Sequence, residues 1–593
     1  FLPVFSLEEQ EGRLFKPLAF TKTFAMFFAS LLSVTLVPLL MVWLIRGKIT
    51  PERQNPLSRF LIWCYQPFVN LALRWRWLVI VLAAGSLVMT VPVFRSLGSE
   101  FMPPLYEGSF LYMPVGLPGM SVTEAGRLLQ LQDKILKSVP EVTSVFGKSG
   151  RAETATDPAP FEMFETVINL KPLEEWRKGM NPEKLATELD TVMQFPGIRN
   201  AWTMPIKARV DMLSTGIRTP VGIKIFGKEL EQIEHIGHRL EAILPRVSGT
   251  RNVYAERALG GYYYDFTVDR KKAARYGLTV GEVEEIIESA VGGNTITTTV
   301  EGRERYSVLV RYAREFRDTP DKLARVLVPT MDGAQIPLSQ LSDLRIVKGP
   351  PQIRSEAGQL VSYVYIDVNT SDIGGYVKRA KELVERQLKL PSGYLLQWSG
   401  QYEYMQRAYQ KLKLVVPFTL LIIALLLYLN FRTLAQTLIV LLSIPFSVVG
   451  SVWLLAGLGY NLSVAVWIGL IALAGVATET GVVMIVYLDE AFERWRREGK
   501  MNSLQDLAAA ITQGAVQRVR PKMMTVAAIM VGLFPIMWGH GAGGDVMRRI
   551  AAPMIGGMVS STILTLIVIP AVYMIWRSWE FRKYRPAIIE NDN

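Results

Sequence analysis

The chain has few of the residues that usually bind metals or form cross-links. It contains one cysteine, Cys64, and three histidines. A lone cysteine excludes an intrachain disulfide and a multi-thiolate metal site. His235 and His238 have the i, i+3 spacing of a solvated helix face, which we favour over a metal pair. A site for a soft metal would therefore have to be built from methionine.

The longest apolar stretches have almost no charged residues. Half of all residues are hydrophobic and the mean hydropathy is +0.22, which is high for a soluble protein. Seven stretches reach the length of about 20 apolar residues that crosses a bilayer. They cover residues 23–45, 77–97, 412–431, 436–457, 462–488, 523–540 and 550–576. The sequence therefore predicts a multi-pass α-helical membrane bundle.

The net charge of +12 suggests a nucleic-acid partner, but its distribution argues against one. Lysines and arginines cluster in three segments that border the apolar stretches, and the positive-inside rule makes such segments cytoplasmic. The segments are 46–76, 489–522 and 577–593. Residues 1–22 and 98–410 then lie on the opposite side of the membrane.

Residues 98–410 alternate between strand and helix patterns. This order is typical of split βαβ, ferredoxin-like units. We expect several small α+β subdomains, because single cores rarely grow beyond about 250–300 residues. The fold class is thus a membrane helical bundle with a large α+β domain.

Glu479 is the only charged residue in the apolar run 468–488. A charge at the bilayer centre costs from about 3 to more than 10 kcal/mol, so such a group usually faces a protein interior and carries protons or ions. The alternative is a neutral glutamic acid that is hydrogen-bonded to a neighbouring helix.

Lys522 opens the next apolar stretch. Hydropathy alone predicts an interfacial anchor. Alternatively, Lys522 is the partner of Glu479, and protonation of the carboxylate breaks their attraction, which would make a proton switch. Thr478, Thr480 and Thr525 could hydrate or hydrogen-bond such a pair.

Methionines recur among the strand patterns of the large domain. Met163 and Glu165 alternate along one strand and so point to the same face. Met113 and Met212 could join Met163 from other strands, which would form a three-thioether site selective for Cu(I) or Ag(I). Taken singly, each methionine is better interpreted as core filler than as a ligand.

Seven strings along the chain resemble the heavy-metal efflux branch of the resistance-nodulation-division (RND) transporters, and within it copper/silver pumps of the Cus and Sil type. The strings lie at 153–157, 162–166, 211–217, 272–277, 474–479, 518–522 and 549–558. The resemblance implies twelve spans in two repeats, a homotrimer, and a chain here that is the sixth span plus the second repeat. The first residue is Phe1, and no signal peptide is visible. We therefore expect an N-terminal portion outside this sequence.

The resemblance also implies roles for individual residues. Met113, Met163 and Met212, with Glu165 nearby, match the metal site in the cleft between two periplasmic porter subdomains. Glu479 and Lys522 match the proton relay, with Thr525 in support and an aspartate that lies outside this chain. Met547 matches a methionine relay, whereas Thr295 stands where those pumps have methionine. Residues 265–355 match the docking part of the domain.

The function expected from these observations is proton-driven Cu(I)/Ag(I) efflux across the bacterial inner membrane. No permanently bound cofactor is expected, since the metal is the substrate and protons are the coupling ion. The implied partners are a periplasmic adaptor protein, an outer-membrane channel, two further copies of the chain and the lipid bilayer, with no nucleic acid. Two alternatives stay open: the same fold exporting Zn(II), Co(II) or Ni(II), and a membrane metal sensor or envelope scaffold that transports nothing.

Overall fold

Long helices open the chain. The computed structural model describes residues 2–45, 55–103, 106–150, 159–539 and 543–584. The first helices are α1 (Leu2–Phe5), α2 (Glu9–Leu44), α3 (Pro56–Arg74) and α4 (Arg76–Ser96). α3 occupies much of the segment 46–76 expected as a loop. Its first turn is capped by Asn55, and it buries Tyr65, Val69 and Leu73 against the helical bundle. It is amphipathic, so hydropathy does not register it as a span.

The first subdomain of the large domain is a ferredoxin-like unit. Its elements are β1 (Ser109–Tyr112), α5 (Val122–Lys137), β2 (Val142–Ser149), β3 (Phe164–Leu170), α6 (Pro182–Val192), β4 (Trp202–Thr203) and α7 (Pro205–Thr215). The antiparallel sheet has the order β2-β3-β1-β4. Leu136 of α5 and Leu185 of α6 pack on Phe110 and Ile168 of this sheet.

The second subdomain repeats this plan around an insertion. It begins with β5 (Val221–Gly227), α8 (Leu230–Ile243) and β6 (Thr250–Ala255). The inserted unit consists of β7 (Gly261–Val268), α9 (Arg270–Arg275), α10 (Val280–Ile286), a π-helix (Ile287–Gly293), β8 (Asn294–Glu301), β9 (Glu304–Val310), α11 (Pro320–Leu323), β10 (Leu327–Pro329), β11 (Gln335–Pro337), α12 (Leu338–Leu341) and β12 (Ser342–Gly349). The chain then returns as β13 (Ser355–Glu356), β14 (Gln359–Val368), α13 (Ile373–Gln387) and β15 (Leu395–Gly400). The sheet has the order β13-β14-β5-β15, with β6 also on β14.

The remaining helices form the membrane bundle. They are α14 (Gln401–Phe431), α15 (Leu434–Leu441), α16 (Ser443–Leu458), α17 (Val464–Arg497), α18 (Leu504–Trp538), α19 (Gly544–Ile563), a π-helix (Leu564–Val568) and α20 (Ile569–Tyr584). Seven candidate spans occur in the described ranges, which confirms the expected number. Gly450 of α16 and Gly556 of α19 leave no room for a Cβ against each other's backbone, so these helices pack closely.

The helices continue well beyond the apolar stretches. The segment 489–522, expected as a loop, is helical except for a short turn between Arg497 and Leu504. Ser503 and Asp506 form a capping box that begins α18. Since charged helix ends extend into water, a hydropathy window marks only the apolar part of each helix.

A short extended segment joins the two parts of the molecule. Ser99 pairs with Leu462, and the amide of Glu100 donates to the Leu462 carbonyl at 3.0 Å. The carboxylate of Glu100 accepts a 2.8 Å bond from Arg549 of α19. The Asp372 carboxylate, at the start of α13, accepts from the Ser99 amide at 2.8 Å. The segment 98–101 thus binds the bundle on one side and the second subdomain on the other.

We predict that Glu100→Ala strongly destabilises this junction. Glu100 is 4% exposed and its partner Arg549 is largely buried. Removing one member of a buried ion pair leaves an uncompensated charge, at a cost of about 3 kcal/mol. Thermal unfolding of the detergent-solubilised chain should show a lowered midpoint. Glu124→Ala, which breaks an exposed pair with Arg127 on α5, is the control and should leave the midpoint in place.

Candidate functional site

The three methionines expected to form a metal site lie together in one cluster. Met113 and Met212 pack with Met163 around Leu111 and Ala208 of the first subdomain. Met113 is fully buried, whereas Met163 and Met212 are half-buried. The fold therefore brings three thioethers from distant points of the sequence into contact with one small apolar core.

Each thioether is positioned by a different element. Met113 follows β1, and its amide donates to the Ala201 carbonyl at 2.9 Å. Met163 precedes β3 and forms a β-bridge with Val115. The expectation that Met212 comes from a strand is wrong, because it lies in the last turns of α7. Its periodicity there is too short and mixed for the sequence to distinguish helix from strand.

Thioethers are soft, uncharged ligands that favour Cu(I) and Ag(I) over hard cations. Within the described ranges, no group of three or more His, Cys, Asp or Glu side chains could hold a metal ion. His235 and His238 lie on the exposed face of α8, and His238 is 3.5 Å from Glu234. The donor chemistry of the large domain is thus that of methionine.

The acidic residues beside Met163 have different surroundings. Glu165 forms a 2.9 Å ion pair with Lys148 of the neighbouring strand β2. Glu162 lies on the opposite, buried face, and burial raises the pKa of its carboxyl group. Glu165 therefore already has a cationic partner in this structure.

A cavity of about 350 Å³ extends from Met163 and Met212 into the space between the two subdomains. Four arginines and two glutamates are among the residues that line it: Arg209, Arg218, Arg257, Arg354, Glu162 and Glu256. Met113 lines a small adjoining cavity together with Arg218 and Asp367. These arginines could not be identified from the sequence, since nothing in the local pattern shows that they converge on one cavity.

The second candidate site lies between α17 and α18. Lys522 is 1% exposed, and its Nζ has no hydrogen-bond partner among the described residues. α18 begins at Leu504, so Lys522 lies within this helix, and its burial places the ammonium against protein. Glu479 lies on an exposed face of α17, and its charge acts on both Lys522 and Arg518. The two residues interact electrostatically, but within the described ranges they form no direct ion pair.

The threonines near this pair hydrogen-bond to their own helices. The Oγ1 atoms of Thr478, Thr480 and Thr525 donate to the carbonyls of Ala474, Ala477 and Pro521. Back-bonding of this kind is common for threonine inside helices. Each hydroxyl therefore has only acceptor capacity left for a proton pathway.

The two positions compared with the methionine relay are both exposed. Met547 is in the first turn of α19 and 40% exposed. Thr295 lies at the exposed start of β8. Residues 153–157, part of the resemblance, lie outside the described residues.

Known proteins match this chain over almost its whole length. Residues 1–577 match the AcrB/AcrD/AcrF family. The chain is 47% identical over 579 residues to the cation efflux system protein CusA of Escherichia coli (strain K12), covering 97% of this chain and 55% of that protein. It is 33% identical to the cobalt-zinc-cadmium resistance protein CzcA of Cupriavidus metallidurans, covering 97% of this chain and 54% of that protein.

The fold also matches a solved structure. A crystal structure of a heavy metal efflux pump, crystal form II, superposes with a TM-score of 0.86 at 26% identity, covering 97% of this chain and 56% of that one. The chain spans about half the length of the known relatives it matches.

Asp367, which lines the small cavity with Met113, provides a test of cavity electrostatics. Burial raises its pKa to about 6, against the opposing attraction of Arg251 at 3.4 Å. Because the folded pKa exceeds the ordinary value of about 3.9, the folded state binds this proton more tightly than the unfolded state. Its stabilising contribution is complete below about pH 4 and is lost as the pH rises through about 6.

We therefore predict that Asp367→Asn stabilises the folded state near neutral pH by about 3 kcal/mol, seen as a higher unfolding midpoint, and has little effect below about pH 4. Thermal unfolding across this pH range measures the difference. Asp343→Asn, at an exposed position of β12, is the control. A stabilisation by Asp367→Asn that is equal at all pH values would contradict the prediction.

Proposed function

The chain belongs to the AcrB/AcrD/AcrF family, in the heavy-metal branch of the RND efflux transporters, and from this premise we propose that it forms the second repeat of a proton-driven Cu(I)/Ag(I) exporter. The observation that carries the proposal is the cluster of Met113, Met163 and Met212 at the edge of the cavity between two subdomains. Three neutral thioethers suit a soft monovalent cation.

In the proposed cycle the cavity between the subdomains is open when it takes up the metal. Met163 and Met212 are half-buried and accessible from the cavity, while Met113 lies behind them. Closure of the cavity around the thioethers would then pass the metal outward. The two ferredoxin-like subdomains are separate sheets joined by the linker 216–220, so their relative movement does not break either core.

Protons are proposed to drive the cycle through Glu479 and Lys522. A buried ammonium without a hydrogen-bond partner is favourable only when an anion compensates its charge. Protonation of Glu479 removes such compensation and so changes the preferred packing of α17 against α18. Movement of one charge across about 100 mV supplies roughly 2.3 kcal/mol, which biases a two-state element when several protons act together.

Contacts at the start of α14 support coupling between the bundle and the proposed metal site. The amide of Gln401, which opens α14, donates to the Pro220 carbonyl at 3.0 Å. The Gln401 side chain also interacts with the carboxylate of Asp211, the neighbour of Met212. A shift of α14 would therefore reach α7 directly, which supports mechanical coupling between proton and metal sites.

The proposal places the protein in the bacterial inner membrane as part of a trimeric, tripartite pump. The hairpin β8–β9 is exposed along almost its whole length and carries apolar side chains such as Ile296, Val300 and Leu309. A protruding hairpin of this kind suits contact with a second copy of the chain. The inserted unit 261–349 is the proposed docking part for the outer-membrane channel, with an adaptor protein beside it.

Export of a divalent cation is the second candidate, because the CzcA relative bears a cobalt-zinc-cadmium name. Divalent Zn, Co and Ni prefer imidazole and carboxylate ligands. No such cluster occurs among the described residues, whereas three thioethers do meet. The donor set therefore favours the monovalent soft metals.

The metal site predicts that Met163→Ile weakens Cu(I) binding by at least about 100-fold, because loss of even outer-shell groups costs roughly 10–100-fold. Affinity can be measured by competition with a chromogenic Cu(I) chelator. Met193→Ile, at a buried methionine in the core of the same subdomain, is the matched control and should bind normally. Tight Zn(II) binding that survives Met163→Ile would instead support the divalent alternative.

The proton relay predicts that Glu479→Gln abolishes metal flux, since a neutral amide cannot cycle a proton. The measurement is Cu(I) or Ag(I) flux into proteoliposomes under a pH gradient, using the transporter completed by the remainder of its chain. Glu490→Gln changes an exposed carboxylate of the same helix that pairs with Arg494, and should leave flux intact. Undiminished flux in Glu479→Gln would contradict the relay, and absence of flux in the unmodified protein would favour a sensor or scaffold.

A further inference from the structure

One arginine at the cavity lacks the partner that a buried cation needs. Arg218 is 7% exposed, and its Nε has no hydrogen-bond partner among the described residues. Its guanidinium lies 4.3 Å from the centre of the Tyr365 ring. A cation–π contact offsets only part of the cost of burying a charge.

Of the two acids that line the larger cavity, Glu256 is already bonded to other groups, whereas Glu162 forms no ion pair with any described residue. Glu256 accepts from Tyr365 at 2.9 Å and forms a 3.2 Å ion pair with Arg354. Arg257 has its own partner, Glu241, at 2.9 Å. Thus, of the arginines lining the cavity, Arg209 and Arg218 form no ion pair with any described residue.

The backbone holds Arg218 in place. The Oγ1 of Thr219 donates to the Val221 carbonyl at 2.8 Å and accepts from the Ile366 amide at 3.2 Å. The preceding Ile217 is fully buried. The backbone at Arg218 is therefore fixed, and its side chain is almost entirely buried.

Arg218 also lines both cavities that contain the methionines, the larger one with Met163 and Met212 and the smaller one with Met113. A metal cation on the thioethers would be repelled by this charge, because Coulomb forces are poorly screened in a buried site. An anion between them would attract both the guanidinium and the metal.

We propose that the cavity binds a small monovalent anion at Arg218, and that the soft metal binds in the cavity together with this anion. The chemistry required is a compact group that accepts guanidinium hydrogen bonds and can ligate a soft cation, which a halide or a small carboxylate supplies. The volume of about 350 Å³ leaves room for such a group beside the metal. Arg209, exposed on α7 one turn before Met212, adds positive charge at the entrance.

Anion binding is tested without any metal. Chloride NMR linewidths are recorded with the detergent-solubilised chain, and bound chloride is displaced by bromide in one arm and by acetate in the other. We expect broadening in the unmodified chain and about a tenfold weaker affinity in Arg218→Gln, which loses a charge-assisted hydrogen bond. Stronger displacement by bromide identifies a halide site, and stronger displacement by acetate a carboxylate site.

Two variants make this test decisive. Arg218→Lys keeps the charge and should retain part of the binding, which separates charge from general damage to the fold. Arg257→Gln removes an arginine that is engaged by Glu241 and should bind chloride normally. Equal broadening in Arg218→Gln and the unmodified chain would overturn the proposal.

The role given to the anion rests on the proposed metal function, so it needs its own readout. Cu(I) affinity should be higher in chloride than in methanesulfonate for the unmodified chain, and should lose this dependence in Arg218→Gln. If Cu(I) affinity is the same in chloride and in methanesulfonate for both the unmodified chain and Arg218→Gln, the joint binding of metal and anion is overturned. Failure of the metal site itself would appear separately, as Cu(I) affinity unchanged by Met163→Ile while chloride binding still depends on Arg218.

Discussion

The buried ion pair between Glu100 and Arg549 determines how the membrane bundle meets the large domain. Both charges have left water, so each is tolerable only while the other stays within reach. The pair is reinforced by backbone bonds from the segment 98–101 to Leu462 and by the Asp372 carboxylate. Because backbone bonds and a buried charge pair act at the same place, α19 and the second subdomain are held as one connected structure. In the proposed cycle, movement within the large domain is therefore left to the linker 216–220 between its two sheets.

Methionine resolves a conflict that other ligands would create at the cavity. A site that must be empty for part of a cycle cannot bury unpaired charges or polar groups without cost. Thioethers carry no charge, so Met113, Met163 and Met212 pack with Leu111 and Ala208 as ordinary apolar side chains when no metal is bound. Under the proposed function, core packing and metal ligation would be two states of the same cluster, so the interpretation of each methionine as core filler does not exclude a role as a ligand.

Much of this architecture could be predicted from local patterns. The seven spans and the two ferredoxin-like units follow from apolar length and from alternation of strand and helix, which are properties of neighbouring residues. Met113, Met163 and Met212 were brought together by the resemblance, although the helical position of Met212 was missed. The exposed position of Glu479 and the isolation of Arg218 could not be predicted, because both depend on which distant side chains occupy the surrounding space. Helix ends were misjudged for a related reason, since capping by Asn55 and Ser503 is a polar signal that hydropathy ignores.

In the proposed cycle, mechanical coupling connects the proton relay in the bundle to the methionine cluster in the large domain. Lys522 lies within α18 of the bundle, whereas Met212 lies in α7 of the large domain and carries no charge. α14 has 31 residues, so at about 1.5 Å per residue it extends nearly 50 Å from the large domain through the bundle. Its first residue follows Gly400, whose positive φ of 82° and contact with the carbonyls of Thr219 and Pro220 leave no room for a side chain. A Cβ at this position would separate α14 from the linker that carries Arg218 and follows α7. The tight join at Gly400 is therefore where, in the proposed cycle, a displacement of α14 would be passed to the cavity wall.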